Sequence, residues 1–133
     1  MNSVALTLSV LPDRLVVCRL NASDPIPAWA SVAAFFSITR TADELSVVCS
    51  EARVPAETVC ERGWRALKLD GPFDLALVGI LATIATPLAE AGVSIFTIAT
   101  YDTDYILVRE TQLSQAINAL SAQGHNVQTV DWH

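Results

Sequence analysis

The 133-residue sequence predicts an α+β fold made of two ferredoxin-like βαββαβ halves, each an antiparallel sheet with helices packed on one face. Three observations support this prediction: apolar runs of strand length, helices with one apolar stripe, and a strand–helix pattern that occurs twice. The N-terminal half is expected at residues 1–64 and the C-terminal half at residues 65–133. Because a half of about 65 residues has a thin core, we expect the halves to pair and the chain to form a homodimer.

Apolar runs in the first half have the length and alternation of β-strands. They occupy residues 4–10, 14–20, 35–39 and 45–49. Before the third run a helix is expected, with apolar residues at helical spacing at Ile26, Trp29, Val32 and Ala33. A second, short helix is expected over residues 55–63, and it is followed by a strand over residues 66–70 that could belong to either half.

The second half contains two amphipathic helices. The first has an apolar stripe spaced four, three and four residues apart, at Leu77, Leu81, Ile84 and Leu88. Gly92 is a natural end for this helix. The second helix follows Thr111 and has its stripe at Leu113, Ala116, Ile117 and Leu120. Strands are expected at residues 93–100, 105–109 and 126–132.

An internal repeat links the two halves. Residues 35–51 resemble residues 95–110, with a one-residue difference in the turn. Each copy is preceded by a helical stretch and followed by a short helix and a strand. Two apolar hairpins could also resemble each other by chance, but the flanking elements match in order, which favours a repeated unit of strand, helix, hairpin, helix and strand.

Composition and charge restrict the class of protein. Hydrophobic residues make up 52% of the chain and charged residues 17%, which indicates a well-filled core or a surface covered by self-association. The net charge of −6 argues against a nucleic-acid partner, because phosphate binding needs clustered Lys and Arg. The first residues lack the features of a signal peptide and no run reaches the roughly 18 apolar residues of a membrane span. A cytoplasmic protein with no membrane contact is therefore expected.

Residues for catalysis or metal binding do not form a recognisable set in the sequence. The cysteines Cys18, Cys49 and Cys60 are widely spaced and are expected to be reduced thiols in the core. His125 and His133 lie near the end of the chain, away from any cluster of metal ligands. There is no Cys–His pair, Ser–His–Asp set or phosphate-binding loop. We therefore expect no enzyme activity, no cofactor and no metal.

Four segments of the second half resemble the ACT domain. They are Gly-Pro-Phe-Asp at residues 71–74, Val-Gly-Ile-Leu at 78–81, Pro-Leu-Ala-Glu-Ala-Gly-Val-Ser-Ile-Phe at 87–96, and residues 99–108. In the first half, residues 41–50 fit the same pattern. The chain resembles in particular the bacterial two-ACT branch that is similar to the CASTOR arginine sensors and to aspartokinase regulatory domains.

This resemblance implies a regulatory, allosteric protein that binds a free amino acid where two ACT units meet and controls a partner protein. It assigns the ligand carboxylate to the helix start at Gly79 and Ile80, where backbone N–H groups attract anions. It makes Asp104 the partner of the ligand ammonium group, and it places Thr100 and Tyr101 along the pocket. Alternatively, Gly79 only relieves crowding between helix and sheet.

The same resemblance implies that Ser46 and Val47 form the opposite wall of the pocket through backbone groups. One difference from the arginine sensors concerns the ligand: three residues after the helix-start glycine, where those sensors have a glutamate, this chain has Ala82. Thr103 stands where they have a second pocket phenylalanine. The expected ligand is therefore a small, neutral amino acid. The alternative function is a protein–protein interaction or scaffold subunit that keeps the ACT fold without a ligand.

Overall fold

The computed structural model describes residues 5–70 and 79–129, which form a mixed α+β fold. The strands of these residues are β1 Thr7–Val10, β2 Leu15–Leu20, β3 Ser37–Arg40, β4 Leu45–Ser50, β5 Cys60–Leu69, β6 Ile95–Ala99, β7 Asp104–Arg109 and β8 Asn126–Thr129. The α-helices are α1 Ile80–Glu90 and α2 Leu113–Ala122. The predicted α+β class is confirmed.

The chain divides into two compact units, one of which is inserted into the other. The inserted unit is Asp13–Trp64, and the helical unit consists of the described parts of Met1–Pro12 and Arg65–His133. The sequence prediction assigned all of residues 1–64 to one half. Residues 5–12 belong instead to the helical unit, because β1 pairs with the second part of β5 and, in parallel, with β8.

The inserted unit has a four-stranded antiparallel sheet in the order β3-β4-β2-β5, to which β5 contributes its first residues. With β2, β3, β4 and β5 taken as the first to fourth strands, the order from the other edge is four, one, three, two. This is the strand order of a ferredoxin-like half. A short 3₁₀ turn at Ala28–Ser31 lies within the first expected α-helix, and another at Glu51–Arg53 lies just before the second.

Neither of the two α-helices expected in the first half is present among the described residues. Ile26 and Val32, which were expected on the buried stripe, are 51% and 54% exposed, and Ala30 is the buried residue of the 3₁₀ turn. In the expected second helix, a single turn closes from Pro55 to Thr58, and β5 then begins at Cys60. The chain is already extended where the helix was expected to continue.

The helical unit has its sheet in the order β8-β1-β5-β7-β6. Without β1, this is the strand order of the inserted unit. β1 runs parallel to β8, whereas an entirely antiparallel sheet was expected. The helix stripes predicted from the sequence form the core: Ile84 and Leu88 of α1 and Ala116 and Leu120 of α2 are fully buried. The expected stripe residue Leu77 lies outside the described residues.

The repeated hairpins contain the same turn. In the first, the Thr41 N–H donates to the Glu44 carbonyl at 2.9 Å and the Glu44 N–H donates to Thr41 Oγ1 at 3.2 Å. In the second, the Thr100 N–H donates to the Thr103 carbonyl at 2.8 Å and the Thr103 N–H donates to Thr100 Oγ1 at 3.3 Å. The common hydrogen-bond pattern supports the internal repeat.

Candidate functional site

The β6–β7 turn of the helical unit, residues 100–103, holds two of the site residues expected from the sequence. Thr100 Oγ1 donates to the Thr103 carbonyl at 3.0 Å and accepts the Thr103 N–H, so its hydroxyl group shapes the turn. Tyr101 is 81% exposed at the tip of the turn. Its phenol ring is therefore the more accessible of the two groups.

Thr103 anchors this turn to the rest of the sheet. Its side chain is only 7% exposed, and Oγ1 donates to the Leu69 carbonyl at 2.6 Å. The bond places the turn beside the C-terminal end of β5. This role of Thr103 was not predicted, because nothing in the local sequence distinguishes it from the exposed polar residues beside it in the turn.

Asp104 follows the turn as the first residue of β7, opposite Ala99 of β6, and it is half-buried. In the part of the chain that the structure describes, its carboxylate has no hydrogen bond or ion pair. A half-buried carboxylate in this state can accept hydrogen bonds from a cationic ligand group.

The start of α1 presents backbone N–H groups that have no partner within the helix and no capping side chain among the described residues. Gly79, with φ of 81°, precedes the apolar first turn Ile80-Leu81-Ala82, and it offers no capping side chain. The first N–H groups of a helix have no partner within the helix and carry partial positive charge. The Ile80 side chain packs against the core and is not available to a ligand. The group that Ile80 can offer to a ligand is therefore its backbone N–H.

The reason for glycine at position 79 is conformational. A Cβ atom built on Gly79 would meet no described atom within 4 Å, so crowding between helix and sheet does not explain this residue. A φ of 81° is strained for residues with a side chain and is favourable for glycine.

Gly79 and the β6–β7 turn lie at the same end of the helical unit's sheet. A groove lined by both Gly79 and His125 places the start of α1 beside the start of β8. The start of β8 lies opposite Thr7 of β1, whose carbonyl accepts the Asp70 N–H at the end of β5. The β6–β7 turn is anchored to this same end of β5.

That groove has a volume of about 330 Å³ and runs along one side of α1. Its lining residues are Gly79, Ala82, Thr83, Thr86, Pro87, Glu90, Gln123 and His125. Ala82 is thus a wall residue of the groove. The contribution of His125 was missed in the sequence, where its position near the end of the chain carried no sign of burial.

Ser46 and Val47, expected to form the opposite wall, are in β4 of the inserted unit. β4 pairs with β2 on one edge and with β3 on the other, so the backbone groups of both residues are engaged in the sheet. Val47 is fully buried in the core of its unit, and Ser46 is half-buried. The Ser46 hydroxyl is therefore the more available group of this pair.

The three cysteines are free and lie together in the inserted unit. A hydrogen bond between the thiols of Cys18 and Cys49, together with burial, raises the pKa of Cys18 far above its usual value. The same hydrogen bond lowers the pKa of Cys49, whereas burial raises the pKa of Cys60. A thiol with a raised pKa stays neutral, and a neutral thiol is a poor nucleophile and a poor metal ligand. Among the described residues, no group of three or more His, Cys, Asp and Glu side chains could hold a metal ion.

Comparison with known proteins identifies the family. The ACT-domain family model matches residues 59–122, and a second model, of an N-terminal domain, matches residues 13–57. A protein from Agrobacterium tumefaciens of known crystal structure is 37% identical and superposes with a TM-score of 0.92, over 98% of each chain. The chain belongs to the ACT-domain family through residues 59–122, whereas the second model covers most of the inserted unit.

Two further proteins are similar to this chain, one in sequence and one in fold. The cytosolic arginine sensor for mTORC1 subunit 1 from Bos taurus is 34% identical over 100 residues, which are 67% of this chain and 30% of the sensor. The regulatory subunit of aspartate kinase from Thermus flavus shares the fold, with a TM-score of 0.62 at 12% identity, over 89% of this chain and 97% of that one. This chain spans about 30% of the length of the curated sensors that it matches. No helix in residues 5–70 and 79–129 is long and apolar enough to cross a membrane.

Proposed function

We propose that this ACT protein binds a free, small and neutral amino acid and regulates a partner protein in response. One observation carries the proposal: the Asp104 carboxylate, without a described partner, lies at the same end of the sheet as the uncapped start of α1. A free amino acid has a carboxylate and an ammonium group on one carbon atom. The helix start suits the carboxylate, and Asp104 suits the ammonium group.

The other expected residues have secondary roles in this proposal. Thr100 holds the shape of the turn, and the exposed ring of Tyr101 covers the bound ligand. Ser46 and Val47 remain the residues that the resemblance implies for the second wall. Binding where two ACT units meet makes a homodimer part of the same proposal.

The ligand is proposed to be neutral because the groove beside the helix start is lined at position 82 by alanine. The bovine relative is an arginine sensor by name, and the matched stretch is only 30% of its length. Its ligand and its partner therefore do not transfer to this chain. Its cytosolic location, and the regulatory role of the aspartate kinase subunit, support a cytosolic regulatory protein here.

A thermal-shift screen against the twenty amino acids, followed by isothermal titration calorimetry, tests this function. At least one neutral amino acid should raise the melting temperature. Asp104→Asn removes the charge that holds the ammonium group, worth about 1.5–3 kcal/mol, so the Kd should rise by about tenfold to a hundredfold. Asp102→Asn, in the exposed part of the same turn, is the matched control and should bind as the native protein does.

The outcomes separate the proposed function from its alternative. If no amino acid changes the melting temperature, the chain is better explained as an ACT-fold scaffold for protein–protein contacts. If an amino acid binds equally well to the Asp104→Asn variant, the assignment of the ammonium site is wrong even though the protein binds amino acids.

A further inference from the structure

His125 is a buried histidine whose ring orientation is fixed by the backbone. It immediately precedes β8 and is 6% exposed. Its Nδ1 atom accepts a hydrogen bond from the Leu6 N–H at 3.1 Å. A neutral imidazole has one donor nitrogen and one acceptor nitrogen. Because Nδ1 accepts, the ring proton is on Nε2.

The Nε2–H group of His125 is a donor without an acceptor in the described part of the chain. The same side chain lines the groove beside α1. In the groove this donor can otherwise bond only to water, and a ligand group that replaces the water must offer an acceptor to keep the hydrogen bond. A group inside the groove can supply the missing acceptor.

The rest of the groove limits the chemistry of that group. Its other lining side chains are uncharged except for one carboxylate, that of Glu90. The Thr83 hydroxyl already donates to the Gly79 carbonyl at 2.8 Å, so towards the groove it acts as an acceptor. The groove therefore offers a donor at His125 and acceptors along α1, and Glu90 disfavours an anion.

We infer that this groove holds the side chain of the bound amino acid and selects an uncharged side chain with an oxygen acceptor, either a carboxamide or a hydroxyl. The inference rests on the proposed function, since the groove begins at Gly79, where the ligand carboxylate is proposed to bind. A helix rises about 1.5 Å per residue, so Ala82 and Thr83 lie about 4.5–6 Å beyond Gly79 along the axis. This is the reach of a short side chain.

Calorimetry with matched ligands tests the inference on the full chain. Asparagine and leucine have similar shapes, as do threonine and valine, and each pair differs in the acceptor. The native protein should bind asparagine more tightly than leucine, and threonine more tightly than valine, by about fivefold to tenfold, the upper range expected for one hydrogen bond.

The variant His125→Asn tests the roles of the two ring nitrogen atoms separately. The asparagine Oδ1 can accept the Leu6 N–H as Nδ1 does, and the shorter side chain places no donor at the position of Nε2. The preference for the polar ligand of each pair should fall below threefold, with little change in the affinity for leucine and valine. If the variant does not fold by circular dichroism, the two ligand pairs on the native protein decide.

Failure of this inference is distinguishable from failure of the proposed function. If amino acids bind in an Asp104-dependent way but asparagine and leucine bind equally, the groove does not select the side chain, and the proposed function stands. Preference for aspartate or glutamate would also overturn the inference. If no amino acid binds at all, both fail together.

Discussion

Replacing Thr103 with valine removes one buried hydroxyl group and keeps the shape of the side chain. Thr103 Oγ1 donates to the Leu69 carbonyl at 2.6 Å, and the side chain is 7% exposed, so water has little access to either group. In the Thr103→Val variant the Leu69 carbonyl loses this donor. A buried polar group left without its partner costs about 1–3 kcal/mol.

Thermal and urea denaturation measure this cost. For a chain of this size, 1 kcal/mol corresponds to about 4 °C in Tm, so the variant should melt about 4–12 °C below the native protein. The matched control is Thr97→Val, the same chemical change at an exposed position of β6, which should alter the free energy of unfolding by less than about 0.5 kcal/mol. Equal effects of the two variants would refute the anchoring role of the Thr103 hydroxyl.

Other substitutions and modifications test further parts of the structure. Gly79→Ala should lower the free energy of unfolding by about 1–2 kcal/mol in urea denaturation, because φ of 81° is strained for alanine; an unchanged value would contradict the conformational reason for this glycine. Leu88→Ala should cost about 2–5 kcal/mol in the same assay, since Leu88 is fully buried, while the exposed Thr86→Ala should cost far less. At pH 8, iodoacetamide should modify Cys60 more slowly than free cysteine, because burial raises the pKa of its thiol and lowers the thiolate fraction. The rate should increase as the pH rises, and mass spectrometry that finds the rate of free cysteine would count against a buried, protonated thiol.

The helices of the second half were predictable because burial there follows the helical period. Ile84 and Leu88 are at the spacing that a sheet-packed helix requires, and both are fully buried. The same reasoning gave an incorrect helix in the first half, where Ile26 and Val32 have a similar spacing but are exposed. Periodicity indicates a helix only when the apolar stripe has a surface to cover.

The place of β1 was not predictable from local pattern. Its residues alternate as a strand does, but its partners are in β5 and β8, far along the chain. No feature of residues 7–10 distinguishes pairing with those strands from pairing with the neighbouring β2. For this reason residues 5–12 were incorrectly assigned to the same half as β2.

The candidate site divides in the same way. Gly79 and Asp104 were found from residue type and resemblance, since a glycine at a helix start and an acid after a turn are visible in the sequence. Thr103 and His125 depend on tertiary burial and on single hydrogen bonds, to Leu69 and Leu6, that join distant segments. The residue type alone does not indicate whether a threonine or a histidine is buried or exposed.

The insertion of one unit within the other has a consequence for the order of folding. In the helical unit, Val10 pairs with Leu67, so the whole inserted unit lies in the loop that this pair closes. Closing a long flexible loop costs chain entropy before any contact repays it. If the inserted unit, which is synthesised before most of the helical unit, folds before β1 meets β5, it shortens the effective loop. We therefore expect the inserted unit to acquire hydrogen-exchange protection early in refolding, and the β1–β8 pairing to form last.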